Sequence, residues 1–495
     1  MSLLEAFFGL IGDLTWGWAL VPFLVVLGVF FTVVSRFVQF RYFKRMFRVL
    51  TGGNPADDPN AISARAALLV SVGGRVGGGN IAGVAVAITL GGPGAVFWMW
   101  LIALVGMATS LVECSLAQLY KEREADGSCR GGPATAIIRG LGSDYRWLAI
   151  VYAVCLLAAF ALGFNAFQGN TVAGAAQDSF GIDRIWTGLV FAAGTAAIVY
   201  GGIRRIAKVA DVIVPIMAGG YLLMAVAVIL LNIVEVPGLV ISIVTNAFGL
   251  EEAIGGGMGA ALAQGLQRGL FSNEAGLGSA PNVAATAEVR HPVSQGITQS
   301  LSVFIDTMLI CTCTAFVILL GDVYVPGNEA VDGVVLTQQS LASHVGDWVG
   351  YFLTIAIMLF AFSSVIYNYY LGENAVSILT DHPASLHVLR IAIVGIVFLG
   401  AIAPGATAVF FFSDPMMGIL AVVNLLALTM LFPIAKRLID DFDRQLAAGV
   451  DRPLLDPDAY ADLDIDRQAW TGKVREGRAT ASASSEGPDR VPVAG

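Results

Sequence analysis

The chain has 495 residues, 56% of them hydrophobic and only 13% charged, with a formal net charge of −9 and a mean hydropathy of +0.75. Apolar stretches of 18 or more residues recur along it, and each can cross a hydrocarbon core of about 30 Å. This describes an all-α integral membrane protein and excludes the two or three soluble domains that length alone would suggest. The acidic excess sits in loops and the C-terminal tail, so net charge says little about partners.

Eleven transmembrane spans are predicted, at about 16–35, 66–89, 94–119, 147–176, 185–203, 209–232, 255–286, 293–320, 347–379, 388–404 and 412–435. No Lys or Arg precedes Arg36, so the first span lacks the basic flank of a cleaved leader and is expected to be retained. Loops after the odd-numbered spans carry nineteen Lys and Arg as far as Arg444, whereas the opposite side carries Arg184 alone. That alternation predicts an outside N-terminus and a cytoplasmic C-terminus.

Between spans 1 and 2, Arg36–Arg48 reads R-F-V-Q-F-R-Y-F-K-R-M-F-R. Aromatic and basic residues alternate, as in an interfacial helix lying on an anionic leaflet. After Asp440 the chain turns polar and ends near A-T-A-S-A-S-S-E-G-P, a composition expected to stay disordered.

Span 2 is interrupted. Ser71–Gly83 reads S-V-G-G-R-V-G-G-G-N-I-A-G, and although Gly79-x-x-x-Gly83 fits a helix-packing motif, packing alone does not explain Arg75 and Asn80. An arginine at mid-span costs about 2.5–3.5 kcal/mol on insertion scales and needs a partner or a cavity. Span 7 carries the matching interruption, G-L-Q-R-G-L-F-S-N-E-A-G-L-G-S-A-P-N from Gly265 to Asn282. Two broken spans in corresponding halves point to a transporter binding site, because unwound backbone at membrane depth survives only where protein or a cavity satisfies it. Such backbone offers carbonyls to a cation and helix N-termini to a carboxylate.

Other polar groups follow. Glu274 and Asp306 are expected partners for Arg75, and with Asn80 they are candidates for coupling or gating. In span 4, Asn165 and Gln168 are three apart and share a helical face. In span 9, Ser363 and Ser364 offer adjacent hydroxyls suited to a hard monovalent cation, followed by Tyr367 and Asn368. Ser–Ser in a helix also simply bonds the preceding turn. The five cysteines form no disulfide framework; Cys311 and Cys313 point to different helical faces and read as packing residues. All four histidines, His291, His344, His382 and His387, fall in loops or at span ends, so no enzymatic constellation is expected. A passive channel would instead predict pore-lining rings.

From Gly91 to Gly106 the chain reads G-G-P-G-A-V-F-W-M-W-L-I-A-L-V-G. With V-G-G-G-N-I-A-G-V-A before it, G-M-A-T-S-L-V-E-C-S-L-A-Q-L-Y-K-E-R-E and R-G-G-P-A after it, and G-L-F-S-N-E-A-G-L-G-S-A-P-N further on, it resembles the sodium:alanine (alanine or glycine:cation) symporter family. The resemblance runs from about Gly52 to Leu438. It implies a LeuT-like fold: residues 1–65 as an extra N-terminal helix plus the basic cytoplasmic segment, 66–232 and 255–438 as two inverted five-helix repeats, and 439–495 as a cytoplasmic tail. By this likeness Na⁺, the coupling ion and sole cofactor-like component, would meet the carbonyls of Gly73, Val76 and Phe360 and the hydroxyls of Ser363 and Ser364. The amino acid's carboxylate would meet the amides of Gly78 and Gly79, with Gln168 nearby. Its ammonium would meet carbonyls around Arg75 and Phe271, and Asn273 and Asn368 complete the substrate set. Many relatives have Thr where Arg75 and Gly78 stand and Gly-Trp at Tyr367-Asn368, although a branch with R-V-G-x-G-N also exists. The expected function is Na⁺-coupled import of alanine or glycine across a bacterial inner membrane. The alternative is proton-coupled import of a different small amino acid or related zwitterion.

Overall fold

A computed structural model describes residues 9–51, 62–125, 127–200, 202–249, 257–327, 333–403 and 406–470. The described chain is almost wholly helical; its β structure is a hairpin of β1 (Glu122–Arg123) and β2 (Cys129–Arg130) and an isolated bridge between Ile62 and Ala287. In chain order the helices are α1 (Gly9–Val34), α2 (Phe43–Thr51), α3 (Ala64–Arg75), α4 (Gly79–Gly91), α5 (Gly94–Leu119), α6 (Pro133–Leu141), α7 (Ser143–Phe180), α8 (Arg184–Val199), α9 (Gly202–Leu231) and α10 (Val236–Ala247). There follow α11 (Gly257–Asn273), α12 (Ser279–Ala284), α13 (Pro292–Leu319), α14 (Gly333–Val345), α15 (Trp348–Leu379), α16 (Ala384–Ile402) and α17 (Ala406–Ala447). Among the described residues seven helices are long and apolar enough to cross a membrane, or nine if each bent pair is one span.

Local chemistry sets the ends. The Ser63 hydroxyl accepts from Ala66 N at 2.8 Å and starts α3, satisfying one of the free amides of a first turn. Gly181, at φ +64°, closes α7 in the left-handed conformation that glycine adopts without strain. Pro292 opens α13, where its missing N–H is not needed.

Both expected interruptions are present. α3 and α4 meet at a 51° bend over Val76–Gly78. α11 and α12 are separated by Glu274–Gly278, with positive φ at Glu274, Gly276 and Gly278. A third bend was not foreseen: the predicted span 6 continues past its 232 boundary into α10, which turns away by 102° behind Pro237 at a helix start. α14 likewise occupies what reads in sequence as a loop.

The broken segments lie inside the bundle. α5 packs along α11 and α13, while α7 packs against α15 and α16. The α7–α16 crossing is close because glycine faces backbone on both sides: a Cβ on Gly400 would sit 2.0 Å from Ala166 O, and one on Gly169 2.1 Å from Val397 O.

The end that carries the basic segment and the C-terminus differs from expectation in two ways. Residues 440–470 are ordered: α17 runs on to Ala447, and Leu455, Tyr460 and Trp470 are buried. Burial of these apolar side chains offsets the conformational entropy that the polar composition alone could not; residues 471–495 lie outside the described residues. The basic segment after α1 is also committed to protein. Arg41 pairs with Asp443 at 2.7 Å, and Arg45 and Arg48 pair with Asp451 at 3.3 and 3.1 Å, so these arginines meet carboxylates of the C-terminal segment.

Candidate functional site

The unwound turn between α3 and α4 faces α15 and α7. Ser363 Oγ donates to Gly73 O at 2.6 Å and is also 2.8 Å from Phe360 O. Ser364 Oγ donates to Gly74 O at 2.9 Å. Gly73, Phe360, Ser363 and Ser364 of the expected cation set therefore share one cluster. Val76 is buried in the break next to it, with ψ at +100°, outside the helical range. Gly74 was not anticipated.

One residue further on, the chain touches α7. Gly77 lies between α15 and α7: a Cβ there would meet Ser364 Oγ at 2.5 Å and Gln168 Nε2 at 3.3 Å. Gly78 N donates weakly to Gln168 Oε1 at 3.4 Å, and a Cβ on Gly78 would fall 2.8 Å from the Phe167 ring. Any side chain here would push the break away from its neighbours, which is why glycine is used. Gly79 sits against the Phe271 ring, which stacks on Phe164 at 4.5 Å. Gly78, Gly79, Gln168 and Phe271 thus converge. Asn368 lies one turn beyond Ser364 and donates through Nδ2 to Asn165 Oδ1 at 3.1 Å.

Other expected residues lie elsewhere. Asn273 accepts from Ala275 N at 3.0 Å, with its Oδ1 near Gly106 of α5. Arg75 is buried and donates to Ser302 Oγ on α13. No carboxylate lies within 4 Å of it among the described residues, so the expected ion pair with Glu274 or Asp306 is not formed. Both acids are instead held by neutral donors, while Arg75 remains within electrostatic reach of them and of Glu113. Asp306 accepts from Asn80 Nδ2 at 2.6 Å, Ser272 Oγ at 2.7 Å and Thr307 Oγ1 at 2.9 Å. Asn80 also accepts from Gly77 N at 2.9 Å, linking Asp306 to the first break. Glu274 accepts from Ser279 Oγ at 2.5 Å and Tyr367 Oη at 2.9 Å.

Two residues missed in the sequence hold the second break. Glu113 accepts from Gly276 N at 3.3 Å and from Asn424 Nδ2 at 3.1 Å, and Asn424 Nδ2 also lies 3.0 Å from Gly276 O. Glu113 was findable by the rule that flagged Arg75, a charge in mid-span. Asn424, a single amide in a long apolar helix, gave no comparable signal.

Two broken membrane helices, meeting side by side with freed backbone and buried polar groups, define a secondary transporter rather than an enzyme. The family model described as the sodium:alanine symporter family matches residues 1–456, and the chain belongs to that family. It is 46% identical over 452 residues to the amino-acid carrier protein AlsT of Bacillus subtilis (strain 168), covering 90% of this chain and 95% of that one. It is 44% identical over 451 residues to the probable sodium/glutamine symporter GlnT of the same organism, covering 91% and 93%. In fold it resembles the crystal structure of MhsT in complex with L-phenylalanine, with a TM-score of 0.50, 14% identity and 77% of this chain covered against 98% of that one. The architecture is LeuT-like, and the protein is a multi-pass membrane transporter of an amino-acid symporter family.

Proposed function

We propose that this protein is a Na⁺-coupled importer of a small neutral amino acid, with alanine or glycine the first ligands to test, working by alternating access in a bacterial inner membrane. The N-terminus would lie outside and the C-terminus in the cytoplasm, following the basic loops. The observation that carries the reading is the cluster of Ser363 and Ser364 hydroxyls on the carbonyls of Gly73, Gly74 and Phe360. These hard, neutral oxygens on two different helices suit a monovalent cation. Na⁺ would take Gly73, Val76, Phe360, Ser363 and Ser364, drawing α15 onto the α3–α4 break. The substrate carboxylate would meet the Gly78 and Gly79 amides beside Gln168, and its ammonium would meet carbonyls near Arg75 and Phe271. Binding one ligand pre-orders the break for the other, so their affinities are linked reciprocally.

A proton as coupling ion is the second reading. It is favoured by Glu274, whose partners Ser279 and Tyr367 are both hydroxyls, able to donate to a carboxylate or accept from a carboxylic acid. Uptake of radiolabelled alanine into proteoliposomes, with an inward Na⁺ gradient compared to an equal K⁺ gradient, tests the reading. Accumulation with Na⁺ only, lost in Ser363→Ala/Ser364→Ala, supports it. Alanine uptake indifferent to Na⁺ and driven by pH would replace it with the second.

A further inference from the structure

We propose that residues 451–470 act as a strap that holds the helix bundle shut at the end where the C-terminal segment lies, and that releasing it speeds opening there. The proposal rests on the transport reading above and adds an autoinhibitory contact to it.

The closure is a set of buried hydrogen bonds between two packed groups of helices. α5, α11, α12 and α13 pack together, and α7, α15 and α16 form the other group. Beyond the second break they are joined through Asn282 of α12. Tyr152 Oη of α7 donates to Gly278 O at 2.8 Å and accepts from Asn282 Nδ2 at 3.0 Å. Asn374 Nδ2 of α15 donates to Asn282 Oδ1 at 2.5 Å and to Gly131 O at 2.7 Å. Gly132, at φ +148°, presses on the same amide: a Cβ there would lie 2.3 Å from Asn282 Oδ1. Both glycines belong to the R-G-G-P-A motif at Arg130–Ala134, to which the binding site gives no role. The crevice bounded by Gly132, Tyr152, Asn282 and Asn374 has no room for a water molecule. Rocking of one helix group against the other opens this end only by parting these contacts.

The strap grips this closure from every side. Gly131 and Gly132 stand between the β1–β2 hairpin and α6, and the strap holds both elements. Asp466 Oδ2 accepts from Arg123 N of β1 at 2.8 Å, and Asp464 pairs with Arg139 of α6 at 3.1 Å. Toward the first helix group, Leu455 N donates to Arg290 O at 2.9 Å, just ahead of α13. Trp470 lies 4.6 Å from the Lys121 ammonium, which itself donates to Ala287 O at 2.8 Å past the end of α12. Toward the second group the strap holds α17, which packs along α7. Asp462 pairs with Arg437 at 2.7 Å, and Leu454 exchanges two hydrogen bonds of 2.8 Å with Gln445. Leu455, Tyr460 and Trp470 are buried, so the segment is seated as well as paired. Contacts to both groups survive only while the groups are together, so docking of the strap shifts the equilibrium toward the closed arrangement. None of these contacts involves a residue proposed to hold ion or substrate, so the strap acts on opening and not on the binding site.

The test compares the full-length wild type with full-length Trp470→Ala, reading hydrogen exchange and transport on the same preparations. Faster exchange at residues 458–469 shows that the strap is released; Leu455→Ala replaces the variant if it does not fold or does not release. With the strap released, the amides of Leu277, Ala285 and Thr286, each bonded within its own turn, should exchange at least about tenfold faster. Exchange along α8 should stay unchanged, which global loosening would not allow. Initial uptake of radiolabelled alanine or glycine into proteoliposomes under an inward Na⁺ gradient should rise at least about threefold, a gain that structural damage does not produce. A released strap with unchanged exchange at those three amides, or with uptake no faster than that of the wild type, overturns the proposal. A wild type that takes up neither amino acid defeats the transport reading, and the exchange comparison then decides the strap by itself.

Discussion

The Tyr367 hydroxyl donates to Glu274 Oε2 at 2.9 Å, while the ring of the same tyrosine covers Gly74 so closely that a Cβ there would lie 2.2 Å from its Cγ. One side chain of α15 therefore touches both interruptions: by packing at the first and by a hydrogen bond at the second. Ser363 and Ser364, one turn earlier, bind the carbonyls of Gly73 and Gly74. A movement of α15 is thus transmitted to both breaks together, which is the mechanical requirement for coupling an ion on one to a substrate beside the other.

Tyr367→Phe separates these two roles. The ring stays over Gly74, but Glu274 keeps only Ser279 among its two hydroxyl donors. Loss of a hydrogen bond to a buried acceptor should cost about 1–3 kcal/mol, seen as a lower melting temperature in detergent. Gly74→Ala should cost more, since the methyl has no room unless Tyr367 leaves its position. Pairing Gly74→Ala with Tyr367→Ala should recover part of that loss; additive losses would show that the contact is not the cause.

Glu113 faces the second break from α5. Its two oxygens meet Gly276 N and Asn424 Nδ2, so Glu113→Ala removes an acceptor from two buried donors at once. The expected penalty is about 2–6 kcal/mol, about 1–3 kcal/mol for each buried donor left without an acceptor. Glu113→Gln, which keeps one oxygen, should retain much of the stability. Hydrogen exchange at residues 274–278 reports the break directly: faster exchange confined to this segment is expected in Glu113→Ala, and uniform acceleration would indicate global loosening instead.

Legibility in the sequence followed a physical line. Both breaks were visible because glycine clusters and charges are costly inside an apolar span, and that cost appears in one dimension. The α7–α15 convergence was implied only by the family resemblance, since polar residues such as Gln168, Ser363 and Ser364 on apolar helices do not say which neighbours they face. The direction of Arg75 was not visible: a long side chain at a break can turn to several helices, and it meets Ser302, an ordinary serine in sequence. α10 was missed because its apolar run follows the end of α9 after only four residues, and its bend depends on tertiary packing. The order of 440–470 was missed because its anchors, Leu455, Tyr460 and Trp470, are isolated among polar residues and bury themselves only against distant helices.

His291 gives the end of the bundle that carries the C-terminal segment a dependence on pH. It is buried at the start of α13, where its Nδ1 accepts from Val293 N at 3.2 Å and its Nε2 lies 3.3 Å from Asp441. Burial lowers its pKa below the ordinary 6.5, with Asp441 opposing that shift. The unfolded chain therefore binds this proton more readily than the folded one, so stability is full above about pH 6.5 and falls as pH drops through that value toward the lower folded pKa. Asp441, itself held below the usual 3.8 by His291 despite desolvation, contributes its loss only in stronger acid. His291→Asn preserves a capping acceptor without the titration. Amide exchange at residues 293–296 should accelerate from pH 7.5 to 5.5, beyond its intrinsic chemical change, in the wild type and not in His291→Asn.

The C-terminal segment is held by two kinds of contact whose sizes decide which matters. Asp462 pairs with Arg437 at 2.7 Å, Asp464 with Arg139 at 3.1 Å, and Asp451 with Arg45 and Arg48. All involve half-exposed or exposed partners, where an ion pair contributes about 0–1 kcal/mol and less in salt. Trp470 is buried with the Lys121 ammonium 4.6 Å from its ring, and truncating a buried aromatic costs about 3–5 kcal/mol. Apolar anchorage should therefore dominate. Trypsin cleavage after Arg467 measures release of the segment. Trp470→Ala should raise the cleavage rate at least tenfold, whereas 0.5 M NaCl should raise that of the wild type by less than about threefold after correction for the protease's own salt response. Release by salt as complete as that caused by Trp470→Ala would reverse the ranking and make the carboxylates of 451–466 the true fastening.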